Sequence, residues 1–247
     1  MKERPILFNA EMVRAILDGR KTQTRRPVPE WQLPSETEGP HDQFPDSRFI
    51  STAQRDPRYG FGVFGATAEA CMDNYNKGFK SLCPFGAIGD RLWVRETFQG
   101  PLIEQGDEST DGYEFPKYCV YKSDGHARPE FTTVDDETVC RWRPSIHMPR
   151  WASRITLEIT SVRVERVQDI SESDAAAEGL NKPIYVQNES GQLTPPVGET
   201  LLSAFPTAKH WFSTVWDGVY GNWSENPWVW IVEFKVLTTN GVIREAA

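Results

Sequence analysis

Four cations, two threonines and a glutamine stand within eight residues of this chain, Gly19-Arg-Lys-Thr-Gln-Thr-Arg-Arg26. Residues 1–26 hold seven Lys or Arg against three acids, in a 247-residue chain whose formal net charge is −8. Folding alone does not require cations at that density. Ammonium and guanidinium groups beside hydroxyl and amide side chains suit a phosphate-bearing ligand, with charge for the phosphate and directional donors for the rest. A second basic run, residues 141–166, has six Arg and two Glu. Acidic stretches at 104–114 and 130–137 could pair with these arginines inside the fold. Two basic runs on an acidic background predict a local anion-binding face, and argue against a protein that coats nucleic acid non-specifically.

Within the first run the alternation of a strand over 22–26 puts Lys21 and Thr24 on opposite faces. They share a site only if Lys21 lies in the turn before the strand begins. Two carboxylates stand out elsewhere. Glu178 falls in the last turn of a short helix, where the negative end of the helix dipole opposes it by up to about 1 kcal/mol. Helix stability therefore does not account for it, although an exposed Glu tolerates that cost. Glu96 ends the otherwise apolar face Leu92, Val94, Glu96 of a strand, where a strand end reaching solvent and a functional role account for it equally well.

The elements that must position these groups are legible in order. Ile6-Leu-Phe8 is a short strand, Asn9 caps a helix with Met12, Val13, Ile16 and Leu17 on one face, and Gly19 stops it. Gly89–Glu96 is a strand after a turn. Across 150–167, Ile155, Leu157 and Ile159 alternate, and then the phase shifts to Val162 and Val164, which implies a bulge or bend. Ser171 caps the helix that carries Glu178 and ends at Gly179. Thr207 caps a helix with Trp211, Phe212, Val215 and Trp216 at core spacing. The final strand puts Trp228, Trp230, Val232, Phe234 and Val236 on one face, with Glu233 and Lys235 on the other.

Between these elements, residues 27–88 contain seven prolines and little periodicity, and read as a loop-rich insertion rather than a second core. Within them Tyr59-Gly-Phe-Gly-Val-Phe-Gly65 lacks the preceding strand and the following Lys-Ser/Thr of a phosphate loop, and reads as a covering loop. Further insertions fall near 100–150 and 181–205, all within one domain spanning 1–247.

Composition bounds the function classes. Hydrophobic residues make up 38% of the chain and no long apolar run exists, so no membrane span is expected, and the N-terminus lacks a signal peptide's apolar core. The cysteines at 71, 83, 119 and 140 form no CxxC pair, as expected of reduced thiols in a cytoplasmic protein. No metal site or cofactor is expected.

The order strand, helix ending in Gly19-Arg20-Lys21, Thr-rich strand, mixed strands and a Trp228-Val-Trp-Ile-Val-Glu-Phe-Lys235 close resembles the ASCH domain. The resemblance covers residues 6–26, 89–97, 155–179 and 211–237. It implies an α+β fold with a small mixed β-barrel of PUA-like type, flanking helices and a cleft for RNA or nucleotides. The chain also resembles longer ASCH-containing proteins of tailed phages and prophages, in which Pro144-Ser-Ile-His-Met-Pro-Arg-Trp-Ala-Ser-Arg154 is a signature; a phage origin would place it in the host cytoplasm. Small ASCH amidohydrolases deacetylate the exocyclic amine of acetylcytidine with a Lys, a Thr and a Glu. Their Gly-Arg-Lys-Thr-x-Thr-x-Arg motif matches residues 19–26, which implies catalytic Lys21 and Thr24, with Glu178 as the aligned carboxylate and Glu96 as its rival. Thr24 would be the nucleophile, Lys21 the base, and Glu178 would orient Lys21 or pass the proton to the leaving amine. The alternative is a non-catalytic reader of RNA or modified DNA, with Arg20, Arg25, Arg26, Arg95, Glu96, Arg150 and Arg154 as nucleic-acid contacts. A third reading is an accessory protein that binds a host protein through its insertions.

Overall fold

The short first strand β1 (Glu3–Leu7) leads into α1 (Ala10–Leu17), where the Asn9 side chain accepts the Met12 amide at 2.9 Å. Gly19, at φ 73°, ends the helix, a conformation that costs glycine nothing. Next come β2 (Gln23–Pro27), β3 (Ser35–Glu36), β4 (Phe49–Thr52), β5 (Gly62–Gly65) and α2 (Ala68–Asn74). They are followed by β6 (Arg91–Arg95), β7 (Phe98–Gln99), β8 (Val120–Tyr121), β9 (Glu130–Thr132) and β10 (Thr138–Cys140). The chain closes with β11 (Thr156–Arg166), α3 (Glu172–Ala177), β12 (Val186–Gln187), β13 (Leu193–Thr194), α4 (Ala208–Tyr220) and β14 (Trp228–Thr238). This computed structural model describes residues 1–37, 45–52, 62–103, 112–132, 137–188, 191–196, 198 and 204–241.

The protein is mixed α+β, with strands in several sheets and few helices. Its largest sheet is hydrogen-bonded in the order β1-β6-β11-β14-β2, an open order, and no barrel closes among the described residues. None of the described helices is long and apolar enough to cross a membrane. The chain divides into two compact units, one of Met1–Arg20, Gly89–Ile159 and Phe234–Ala247, the other of Lys21–Ile88 and Thr160–Glu233.

In the first unit β1 runs parallel to β6, setting Glu3, Pro5 and Leu7 opposite Arg91, Trp93 and Arg95. The start of β11 pairs antiparallel on the other side, with Thr156 opposite Trp93 and Glu158 opposite Arg91. Alternation sends Ile6, Leu92, Val94 and Leu157 inward, where all are buried. Glu96 follows them inward and is itself buried, so its strand end does not reach solvent.

In the second unit β14 pairs antiparallel with β2, placing Val232 opposite Thr24 and Trp230 opposite Arg26. Val229 and Ile231 pack with Val167, Ile170, Ala175, Trp211, Phe212 and Trp216, the apolar faces of α3, α4 and the turn before α3. The other side of the strand is covered as well. Trp230 donates its indole N–H to Gln32 Oε1 at 3.0 Å and meets the Tyr75 ring edge-on at 5.5 Å. The simple inside–outside alternation expected of β14 therefore holds only over 233–235; over 228–232 both faces are buried, and Val236 is exposed.

Gln32 and Tyr75 belong to the stretch read from sequence as a loop-rich insertion. Its described part instead forms the three-stranded sheet β3-β4-β5 and α2, with Cys71, Met72 and Tyr75 fully buried. Gly65 is required there, because a Cβ on it would lie 2.3 Å from the Cys71 backbone nitrogen. Residues 59–61 of the aromatic–glycine run lie outside the described residues, and 62–65 are strand β5. The acidic stretch 104–111 also lies outside them.

Candidate functional site

Glu178 is the C-cap of α3, followed by Gly179 at φ 105°. Two features of the β2 entry dock onto this helix end. The Thr22 amide donates to the Ala177 carbonyl at 3.0 Å, and Lys21 forms an isolated antiparallel bridge with Glu178. Lys21 thus lies just before β2 begins, in the position that sequence geometry required of it. Its Nζ donates to Glu178 Oε2 at 2.7 Å and to the Glu178 carbonyl at 2.9 Å. One ammonium therefore neutralises the carboxylate and caps a helix carbonyl, which offsets the dipole penalty on Glu178.

Strand alternation brings Gln23 and Arg25 to the same helix. Gln23 Nε2 donates to the Asp174 carbonyl at 2.8 Å. The Arg25 guanidinium reaches Glu178 Oε1 at 3.2 Å, Asp174 at 3.1 Å and Glu165 at 3.6 Å. Arg163, on β11, closes the network with Asp174 at 2.9 Å, Glu165 at 2.6 Å and a contact with Glu233. Three cations thus meet four carboxylates. Lys21 and Arg25 have no exposed side-chain surface, and Glu178 keeps 5%. Burial holds the Lys21 ammonium below its usual pKa; Glu178 opposes that shift, and Arg26 and Arg25 add to it.

Thr24 is buried but takes the opposite phase of β2 with Arg26, and no hydrogen bond joins it to Lys21 or Glu178 among the described residues. Arg26 reaches the Tyr220 hydroxyl at 3.4 Å. Arg20 pairs with Asp18 at 2.7 Å at the surface.

The rival carboxylate sits in the first unit with a different set of partners. Arg154 donates to Glu96 from Nε at 3.0 Å and from Nη2 at 3.3 Å, and to Asp124 at 2.6 Å. Ser123 also donates to Glu96, and the Arg154 guanidinium lies 3.9 Å from the centre of the Tyr121 ring. Burial raises the Glu96 pKa, against the pull of Arg154 and Ser123. Arg150 pairs with Glu3 at 3.1 Å, and Arg95 donates to the Ile146 carbonyl.

Asp174, Arg163, Glu165, Ser123 and Asp124 were not singled out from sequence. One signal was available: Asp174 and Glu178 are four apart on a helix and so share a face. Arg163 and Glu165 likewise alternate onto one side of β11. Nothing local in sequence marks Ser123, which meets Glu96 across 27 residues of chain, or Asp124, which meets Arg154 across 30. Among the described residues no group of three or more His, Cys, Asp or Glu is arranged to hold a metal ion. Comparison of the chain with protein-family models, with curated proteins and with solved structures gave no match.

Proposed function

We propose that this is an ASCH-like, PUA-related cytoplasmic protein that recognises a nucleobase and hydrolyses the amide of an N-acylated base such as acetylcytidine. The observation that carries this reading is the buried Lys21–Glu178 hydrogen bond at 2.7 Å, formed by the lysine of the Gly-Arg-Lys-Thr motif. Amide hydrolysis needs a group that takes a proton from the nucleophile and returns one to the leaving amine. A desolvated lysine with a lowered pKa, bonded to a carboxylate, can move a proton in both directions. Thr24 keeps the nucleophile's role that the motif implies, although it takes the opposite phase of β2 and no hydrogen bond joins it to Lys21 among the described residues; the mixed α+β architecture is compatible with the fold assignment.

Pairing favours this reading over a phosphate clamp at the same motif. Arg25 is enclosed by three carboxylates and Arg20 holds Asp18, while Arg154 and Arg150 are engaged by Glu96, Asp124 and Glu3. Binding a phosphate there would first require breaking those pairs.

The test is release of cytidine from acetylcytidine by the wild type, Lys21→Met, Glu178→Gln and Thr24→Ala, each first checked for a cooperative melt. Loss of turnover in folded Lys21→Met and Glu178→Gln supports the pair. Retention in Thr24→Ala would keep the hydrolase and transfer the attack to water. A folded wild type with no turnover on any acylated base would end the assignment.

A further inference from the structure

The outer face of β6 in the first unit holds a second constellation, unconnected with the Lys21 chemistry. Trp93 sits between Arg91 and Arg95 on one side of the strand, with the Arg95 and Arg150 guanidinium carbons 5.5 Å and 6.0 Å from its ring centre. Register places Glu3 and Glu158 on either side of Arg91. Both acids are taken elsewhere, Glu3 by Arg150 at 3.1 Å and Glu158 by Lys235 at 2.9 Å. Among the described residues the Arg91 side chain makes no hydrogen bond and no ion pair, and Arg95 has no carboxylate partner. The Nε atoms of both arginines are buried donors without an acceptor. The unpaired Arg91 guanidinium and the surplus of positive charge on one strand face suit an anionic partner from outside the chain.

We propose that this face binds single-stranded nucleic acid, with Arg91 and Arg95 on phosphates and one base stacked on Trp93. Arg95 lies four residues beyond Arg91 along the strand, roughly 13 Å away, so they serve separate phosphates of a chain rather than one free anion. The indole selects an unpaired base, because the base faces of a duplex are already stacked on each other.

The experiment is fluorescence anisotropy with a labelled oligothymidylate about a dozen nucleotides long and with its duplex, at about 50 mM salt and upward. The expected result is a preference for the single strand. Arg91→Gln and Arg95→Gln should each lower the slope of log affinity against log salt by about 0.7. Trp93→Leu should weaken binding about tenfold. Thermal melts run in parallel show that each variant is folded; if Trp93→Leu is not, the two arginine variants carry the test. Absence of single-strand binding by the wild type, equal affinity for duplex, or unchanged slopes in the folded arginine variants would overturn the proposal. None of these outcomes depends on acetylcytidine turnover, so the two readings fail separately.

Discussion

Glu178 and Glu96 are both buried carboxylates at the end of a regular element, and arginine holds both, yet their surroundings prepare them for different work. Glu96 faces one guanidinium, a serine hydroxyl and an aromatic ring. A guanidinium never gives up its proton in a protein, so that site is a lock. Glu178 faces a guanidinium and a dry ammonium whose pKa burial has lowered. There the proton has somewhere to go. The lesson is that burial and charge pairing alone do not mark a reactive site; the identity of the cation decides.

The largest expected effect breaks the Glu178 side. Glu178→Ala strands Lys21 and part of Arg25 in a dry interior, and should destabilise the fold by about 3–5 kcal/mol in urea unfolding. Glu96→Ala should cost less, about 1–3 kcal/mol, because Arg154 keeps Asp124 as a partner. If the two variants rank the other way, Glu96 and not Glu178 is the carboxylate whose loss strands a buried charge.

The pH dependence sharpens the same contrast, since the two sites should slope in opposite directions. The folded pKa of Glu96 is raised, so its contribution to stability is full below its ordinary 4.5 and is lost as pH rises through the folded value. Glu96→Gln cannot ionise, and its melting temperature should gain on the wild type from acid toward neutral pH. The folded pKa of Lys21 is lowered, so as pH rises the folded state gives up this proton before the unfolded chain, which holds it up to 10.5. Stability of the wild type should therefore rise relative to Lys21→Met as pH climbs toward that value. Melting curves of the three proteins across pH decide both signs. The smallest effect should come from the surface: Asp18→Asn, which removes the exposed partner of Arg20, should shift stability by no more than about 0.5 kcal/mol.

Local signals carried a good part of this. Caps at Asn9, Ser171 and Thr207, the left-handed glycines 19 and 179, and the inward pair Leu92 and Val94 all appear as the sequence reads. Each depends on residues within four positions of one another, so hydrogen bonding and side-chain periodicity determine it without the rest of the chain. The same short-range logic set the condition on Lys21, that it precede its strand, and placed Thr24 on the other phase.

Only the tertiary structure decided what those groups meet. That Lys21 and Glu178 share a hydrogen bond across 157 residues of chain depends on how β2 docks on α3. That Glu96 belongs to Arg154 and Ser123 depends likewise on contacts between distant segments. The 27–88 stretch taught the same point: its prolines and weak periodicity hide strands of two to four residues, too short to show a pattern, while its burial comes from covering Trp230. A sequence writes its periodicities along the chain, but charge partners and covered faces are written across it, and only packing brings them together.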